Sequence, residues 1–130
     1  MICKPQSPPM ARFRTPPEDR AAMALVNRIN RAVNREKRYG APHPADQMDG
    51  VWDCENYAAL KRDRLAAAGF PGRLTTLFCW TRRGESHAVL EATLPSGRAV
   101  ILDNMTPWAL PREQTGHTGW AQAYIQRQVV

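Results

Sequence analysis

The sequence predicts an α+β domain, two helices followed by an antiparallel sheet. Three observations lead there. A capped stretch near residue 20 carries apolar residues at helical spacing, and a second helix is bounded by Asp53 and Gly69. Three strand-like runs then follow, the last two joined by Pro95-Ser96-Gly97. A chain of 130 residues can bury one core and is too short for two ordinary domains.

Five of the 11 prolines fall within residues 1–17. This segment is expected to be an extended arm, disordered alone or docked on a partner, ahead of a single domain over 18–130. "TPPE" at 15–18 matches a capping box, with Thr15 at the N-cap and Glu18 at N3. The helix it opens should run to about Arg38, with Ala22, Leu25, Val26, Ile29 and Val33 on its apolar face. Gly40 and two prolines stop it in the loop "YGAPHPADQMDG". In "WDCENYAALKRDRLAAAGFPG", Asp53 is the N-cap and Cys54 lies in the first turn. Gly69 and Pro71 end that helix. The strands are "RLTTLFCWTR" (73–82), "ESHAVLEATL" (85–94) and "RAVILDN" (98–104). The tail, "GWAQAYIQRQVV", reads equally as a short strand or a helix packing Trp120 and Tyr124.

Charge and cysteines narrow the function classes. The formal charge is +6, much of it in Arg28, Arg31, Arg35, Lys37 and Arg38. That stretch is either a solvated helix face or a surface for a phosphate or acidic partner. No aromatics alternate with it, so nucleic-acid binding by base stacking is not expected. Cys3, Cys54 and Cys79 form neither a disulfide framework nor a CxxC zinc pattern. No apolar run suits a signal peptide or a membrane span. The expected location is therefore the cytoplasm as synthesised, or a larger particle.

Cys54 carries the chemistry. A helix start offers unpaired N–H groups and a positive dipole end, which favour a thiolate and can hold a developing oxyanion. The bland alternative is a small buried apolar residue. His87 argues against it. A three-residue turn at 95–97 pairs Leu94 with Arg98, and continuing the register pairs Val89 with Asp103. His87 and Asp103 then share one face as diagonal neighbours, about 7–8 Å apart at the backbone. The opposite face, Ala88, Leu90, Ala92, Leu94, Val100 and Leu102, is wholly apolar. An acid on a buried strand needs a partner, and His87 is the nearest. Cys54, His87 and Asp103 thus supply nucleophile, base and orienter. His43 and His117 lie in loops and are expected to be exposed.

"DCENYAALKRDRLAAAGFP", "SHAVLEA" and "ILDN" resemble the bacterial transglutaminase-like cysteine proteinases. "VNRINRAVN" and "YG" resemble the family's first helix, so the resemblance spans roughly residues 22 to 108. Trp52 stands where the family usually has glycine, and Asn56 where it has an acid. The resemblance implies a papain/transglutaminase-like fold. It implies Cys54 as nucleophile, His87 as general base and Asp103 as its orienter. It also implies that Asp53 and Glu55 match acids that help bind Ca²⁺ in calcium-dependent members, where hard carboxylates suit the ion. Without a metal, Asp53 caps the helix and Glu55 complements its dipole. The leading expectation is a thiol protease, a cysteine peptidase working on a protein or peptide through an acyl-enzyme. Alternatives are an amidase acting on cell-wall peptides and a structural component of a phage-like particle that inherited the fold.

Overall fold

The computed structural model describes residues 14–42 and 51–122. Cys3, His43, Tyr124 and the predicted arm as far as residue 13 lie outside the described residues. Helix α1 spans Arg20–Glu36 and α2 spans Cys54–Ala67. Strands β1 (Leu74–Trp80), β2 (Ser86–Thr93), β3 (Ala99–Leu102) and β4 (Thr118–Gln122) follow. They form one antiparallel sheet in the order β3-β2-β1-β4. Among the described residues, no helix is long and apolar enough to cross a membrane.

The start of α1 differs from the expected capping box. Among the described residues the buried Thr15 hydroxyl has no hydrogen-bond partner, and a 3-10 turn over Pro17–Asp19 precedes the helix. The buried Asp19 takes over, but not as a cap. Its carboxylate accepts from the Ser96 N–H (2.8 Å) and hydroxyl (2.5 Å), tying the helix start to the β2–β3 turn. A contact 77 residues away in sequence has displaced a local one.

The start of α2 is as the spacing predicts, and more complete. The Asp53 carboxylate accepts from the Asn56 N–H at 3.1 Å, and the Asn56 side chain accepts from the Asp53 N–H at 3.0 Å. Two orphan donors are satisfied reciprocally, with asparagine in the role usually held by Glu or Gln. At the other end Gly69 adopts a φ of 82°, its N–H bonding to Ala66 and that of Phe70 to Leu65. That is a Schellman closure, which needs a residue tolerant of left-handed backbone.

The hairpin register matches expectation. Leu90 pairs with Leu102 and Ala92 with Val100, and the Leu94 N–H bonds to the Arg98 carbonyl at 2.7 Å. The predicted apolar face is buried throughout, and all of it except Ala88 joins the main core with α1 and α2. Val26 and Val33 of α1 and Leu65 of α2 are fully enclosed there. The other face has a smaller cluster, Leu77, Cys79, Val89 and Ile101, against which Trp120 packs. Trp120 belongs to β4, so residues 119–122 of the tail are in a strand. It lies beside β1, away from the hairpin.

Three asparagines of α1 reach the segment after β3. Asn27 accepts from the Ala109 N–H (2.8 Å), Asn30 donates to the Thr106 carbonyl (2.9 Å), and Asn34 donates to the Asp103 carbonyl (3.0 Å). Their spacing of three and four residues puts them on one helix face. They fix the loop that begins at Asp103.

Candidate active site

Cys54 is the first residue of α2, half-buried, where the helix packs against the start of β2. The Ala88 N–H donates to its sulfur at 3.3 Å. That donor and the positive end of the helix dipole both face the sulfur.

His87 is buried, one residue into β2. Its Nε2 lies 2.8 Å from Asp103 Oδ1. Cys54 lines the same pocket and acts electrostatically on the ring; with Nε2 turned to the carboxylate, Nδ1 is the nitrogen left to face the thiol. Burial alone would lower the pKa of the ring. The hydrogen bonds and charges of Asp103 and Cys54 together outweigh it and raise the value to about 9.

Asp103, also buried, follows the last residue of β3. Burial pushes its carboxyl up, but His87, His117 and the Met105 N–H hold it down at about 2. The Met105 N–H donates to Oδ1 at 2.9 Å. An ionised, oriented carboxylate on the far side of the imidazole is the arrangement an orienter requires.

His117 corrects the sequence reading, which expected an exposed loop residue. Its side chain is 7% accessible and its Nε2 lies 2.8 Å from Asp103 Oδ2. The rings of His117 and His87 meet edge to face at 5.1 Å, and Trp120 packs behind His117 at 6.1 Å. Each oxygen of Asp103 thus has an imidazole. A carboxylate accepts on both oxygens, so a second partner for Asp103 was inferable, but only β4 pairing beside β1 brings His117 to it. His87, Asp103 and His117 are also the group among the described residues whose donor atoms lie close enough together, within 4.8 Å, to hold a metal.

Lys61 is the other residue that sequence reading missed. It lies two turns along α2 from Cys54, fully buried, with no hydrogen bond to its Nζ among the described residues. Burial lowers its pKa to about 7, against the opposing pull of Asp103. Asp53 and Glu55 stand beside Cys54 as predicted, Asp53 in the cap and Glu55 exposed in the first turn. Cys54 and His87 open onto a pocket of about 450 Å³, also lined by Tyr39, Glu85 and Met105.

A family model of bacterial transglutaminase-like cysteine proteinases matches residues 2–129. The chain belongs to that family. As a bacterial transglutaminase-like cysteine proteinase it is a cysteine protease, a thiol hydrolase by class. Two solved structures of LapG from Legionella pneumophila share its fold. One, described as EGTA-treated, has 21% identity and a TM-score of 0.59, covering 79% of this chain and 68% of that one. The other has 22% identity and the same TM-score, covering 77% and 68%. No curated protein matches. The helices packed on a four-stranded antiparallel sheet are the transglutaminase-like fold that the resemblance implied.

Proposed function

We propose that the chain hydrolyses an amide bond in a protein or peptide through Cys54, His87 and Asp103, with an acyl-enzyme on Cys54. The reading rests above all on one observation: the buried His87 ring, held 2.8 Å from Asp103, lines one pocket with Cys54. The thiolate attacks the scissile carbonyl and forms the C–S bond. The His87 imidazolium protonates the departing amine as the C–N bond breaks. Neutral His87 then takes a proton from water, whose oxygen attacks the thioester; the C–S bond breaks, releasing the acid and restoring the thiolate and the imidazolium. Asp103 keeps the ring oriented and stabilises its charged form throughout.

Iodoacetamide labelling tests the pair. Cys54 is expected to react at least tenfold faster than Cys79, which is 3% exposed and whose pKa burial pushes up to about 12. His87→Ala should slow Cys54 labelling at neutral pH. Equal rates in the two proteins would remove the ion pair and with it the mechanism.

Calcium is the second part of the reading, on Asp53 and Glu55. Its support is the family resemblance and the EGTA treatment, a calcium chelator, named for one LapG structure. The fit to this chain is incomplete. Ca²⁺ takes six to eight oxygens, and one Asp53 oxygen is engaged by Asn56. Among the described residues, no group of three acidic, His or Cys ligands includes either acid. No step of the mechanism passes through the metal.

A further inference from the structure

The proposed peptidase has a basic cleft that the chemistry at Cys54 does not use. Arg20, Arg28, Arg31 and Arg35 are all exposed on α1 and line a cleft of about 1150 Å³, whose lining also includes Arg14 and Arg98. Spacings of eight, three and four residues keep the four helical arginines on one face. Over 15 residues that stripe runs about 22 Å. Among the described residues, the ion pairs of arginine are Arg64 with Glu36 and Arg112 with Glu91, and none involves the helical stripe or Arg14. The Arg31 guanidinium instead lies over the Trp108 ring, 4.7 Å from its centroid. Clustered like charges destabilise a compact fold unless something anionic meets them.

The cleft leads to the catalytic pocket. Arg31 and Arg35 also line a second depression, together with Asn104 and Met105. Asn104 and Met105 in turn line the pocket that holds Cys54 and His87. Beside Cys54 the track becomes apolar, with Tyr39 61% and Met105 59% exposed. The charge there is negative, from Glu85 at the pocket and from Asp53 and Glu55 at the start of α2.

We infer that this track is the substrate groove, and that it takes an extended polypeptide with an apolar residue at the scissile bond and a run of Asp or Glu several residues to one side. The inference rests on the peptidase reading above and specifies its substrate class. Twenty-two ångströms accommodate about seven extended residues. Acidic residues are confined to the α1 end because Glu85 and the α2 acids would repel them at the scissile bond. A nucleic acid fits less well, since among the described residues Trp108 is the one aromatic lining the cleft and Arg31 covers it.

The test uses the full chain and a fluorescein-labelled peptide of about 14 residues, half glutamate and half alanine and leucine. A matched peptide has lysine for glutamate. Binding is read by anisotropy on the Cys54→Ala protein, so that nothing is cleaved. The acidic peptide is expected to bind, the lysine peptide not to bind, and Arg31→Glu with Arg35→Glu to weaken binding tenfold or more. Arg73→Glu with Arg83→Glu, exposed and outside the cleft, should leave binding within about twofold, and melting curves confirm that each variant folds. In the wild-type protein, saturating acidic peptide should slow alkylation of Cys54 by a bulky maleimide. Indifference to the Arg31 and Arg35 reversals would overturn the inference, as would binding that leaves Cys54 unprotected. An oligouridylate that displaces the peptide at equal charge concentration would also overturn it, making the cleft a nucleic-acid surface. The iodoacetamide comparison of wild type with His87→Ala can fail without affecting any of these readouts, so failure of the groove and failure of the triad remain distinct.

Discussion

His87 is buried, yet its ring is a stronger base than a free imidazole, because Asp103 and Cys54 act on it together. Its raised pKa has a definite sign. The stability it contributes is fully present below the ordinary value of 6.5 and is lost as pH rises through about 9. An NMR titration should therefore place the His87 ring near 9, and Asp103→Asn should lower it, because Cys54 alone then opposes burial. The same substitution should lower peptidase turnover by about 10²–10⁴-fold, the range associated with a positioned acid–base group. A His87 ring still titrating near 9 in that variant would show that Asp103 does not set its basicity. Lys61 is perturbed in the opposite direction, to about 7. Between pH 7 and 10.5 the unfolded chain holds a proton that the native amine lacks, so stability rises with pH across that window. Lys61→Met keeps the shape and removes the amine. It should be more stable than the wild type at pH 6 by on the order of a few kcal/mol, and the gap should close by pH 10. Urea denaturation at both pH values checks it, and a gap independent of pH would exclude a titrating Lys61.

The start of α2 is the element on which the site depends, because the cap determines where Cys54 sits. Asp53→Ala should cost about 0.5–2 kcal/mol, the range for a lost N-cap. If Asp53 also holds calcium, the wild type should gain melting temperature with added calcium and lose it in EGTA, and Asp53→Ala should respond to neither. Calorimetry of the wild type without binding heat at millimolar calcium would leave Asp53 as a cap alone. Helix α1 contributes to the site from a distance. Its three asparagines hold residues 103–109, so Asp103 is positioned by a helix that supplies no catalytic group.

At the scale of the molecule, helices cover one face of the sheet, while the smaller cluster on the other has Trp120 packed against it. His87, Asp103 and Cys79 belong to that second side, and Cys79 is the cross-strand partner of His87. Trp120 therefore shields both the smaller cluster and His117. Trp120→Ala should cost about 1–3 kcal/mol, less than the 3–5 typical of a fully enclosed tryptophan, because the side chain is only half-buried. It should also make Cys79 react with iodoacetamide several-fold faster while Cys54 changes little. Unchanged Cys79 labelling would mean that the second face has a cover other than Trp120.

The sequence by itself determined the two helices, the α2 cap, the glycine that closes that helix and the hairpin register. These depend on contacts between near neighbours: three residues from Asp53 to Asn56, a turn at 95–97, a strict alternation along β2. Because the side-chain period of a strand is two, a correct register places His87 and Asp103 on one face without further information. The sequence also suggested Cys54 as their partner, through residue type and helix position. Tertiary structure decided what depends on distant segments. Asp19 bonds to Ser96 of the β2–β3 turn, the asparagines of α1 find the loop after β3, and Lys61 is buried with no hydrogen bond to its amine among the described residues. His117 reaches Asp103 only because β4 adds to the far edge of the sheet beside β1. That pairing is set by the packing of Trp120 and by the strand edge β1 leaves open, and neither has a local pattern of residues to announce it.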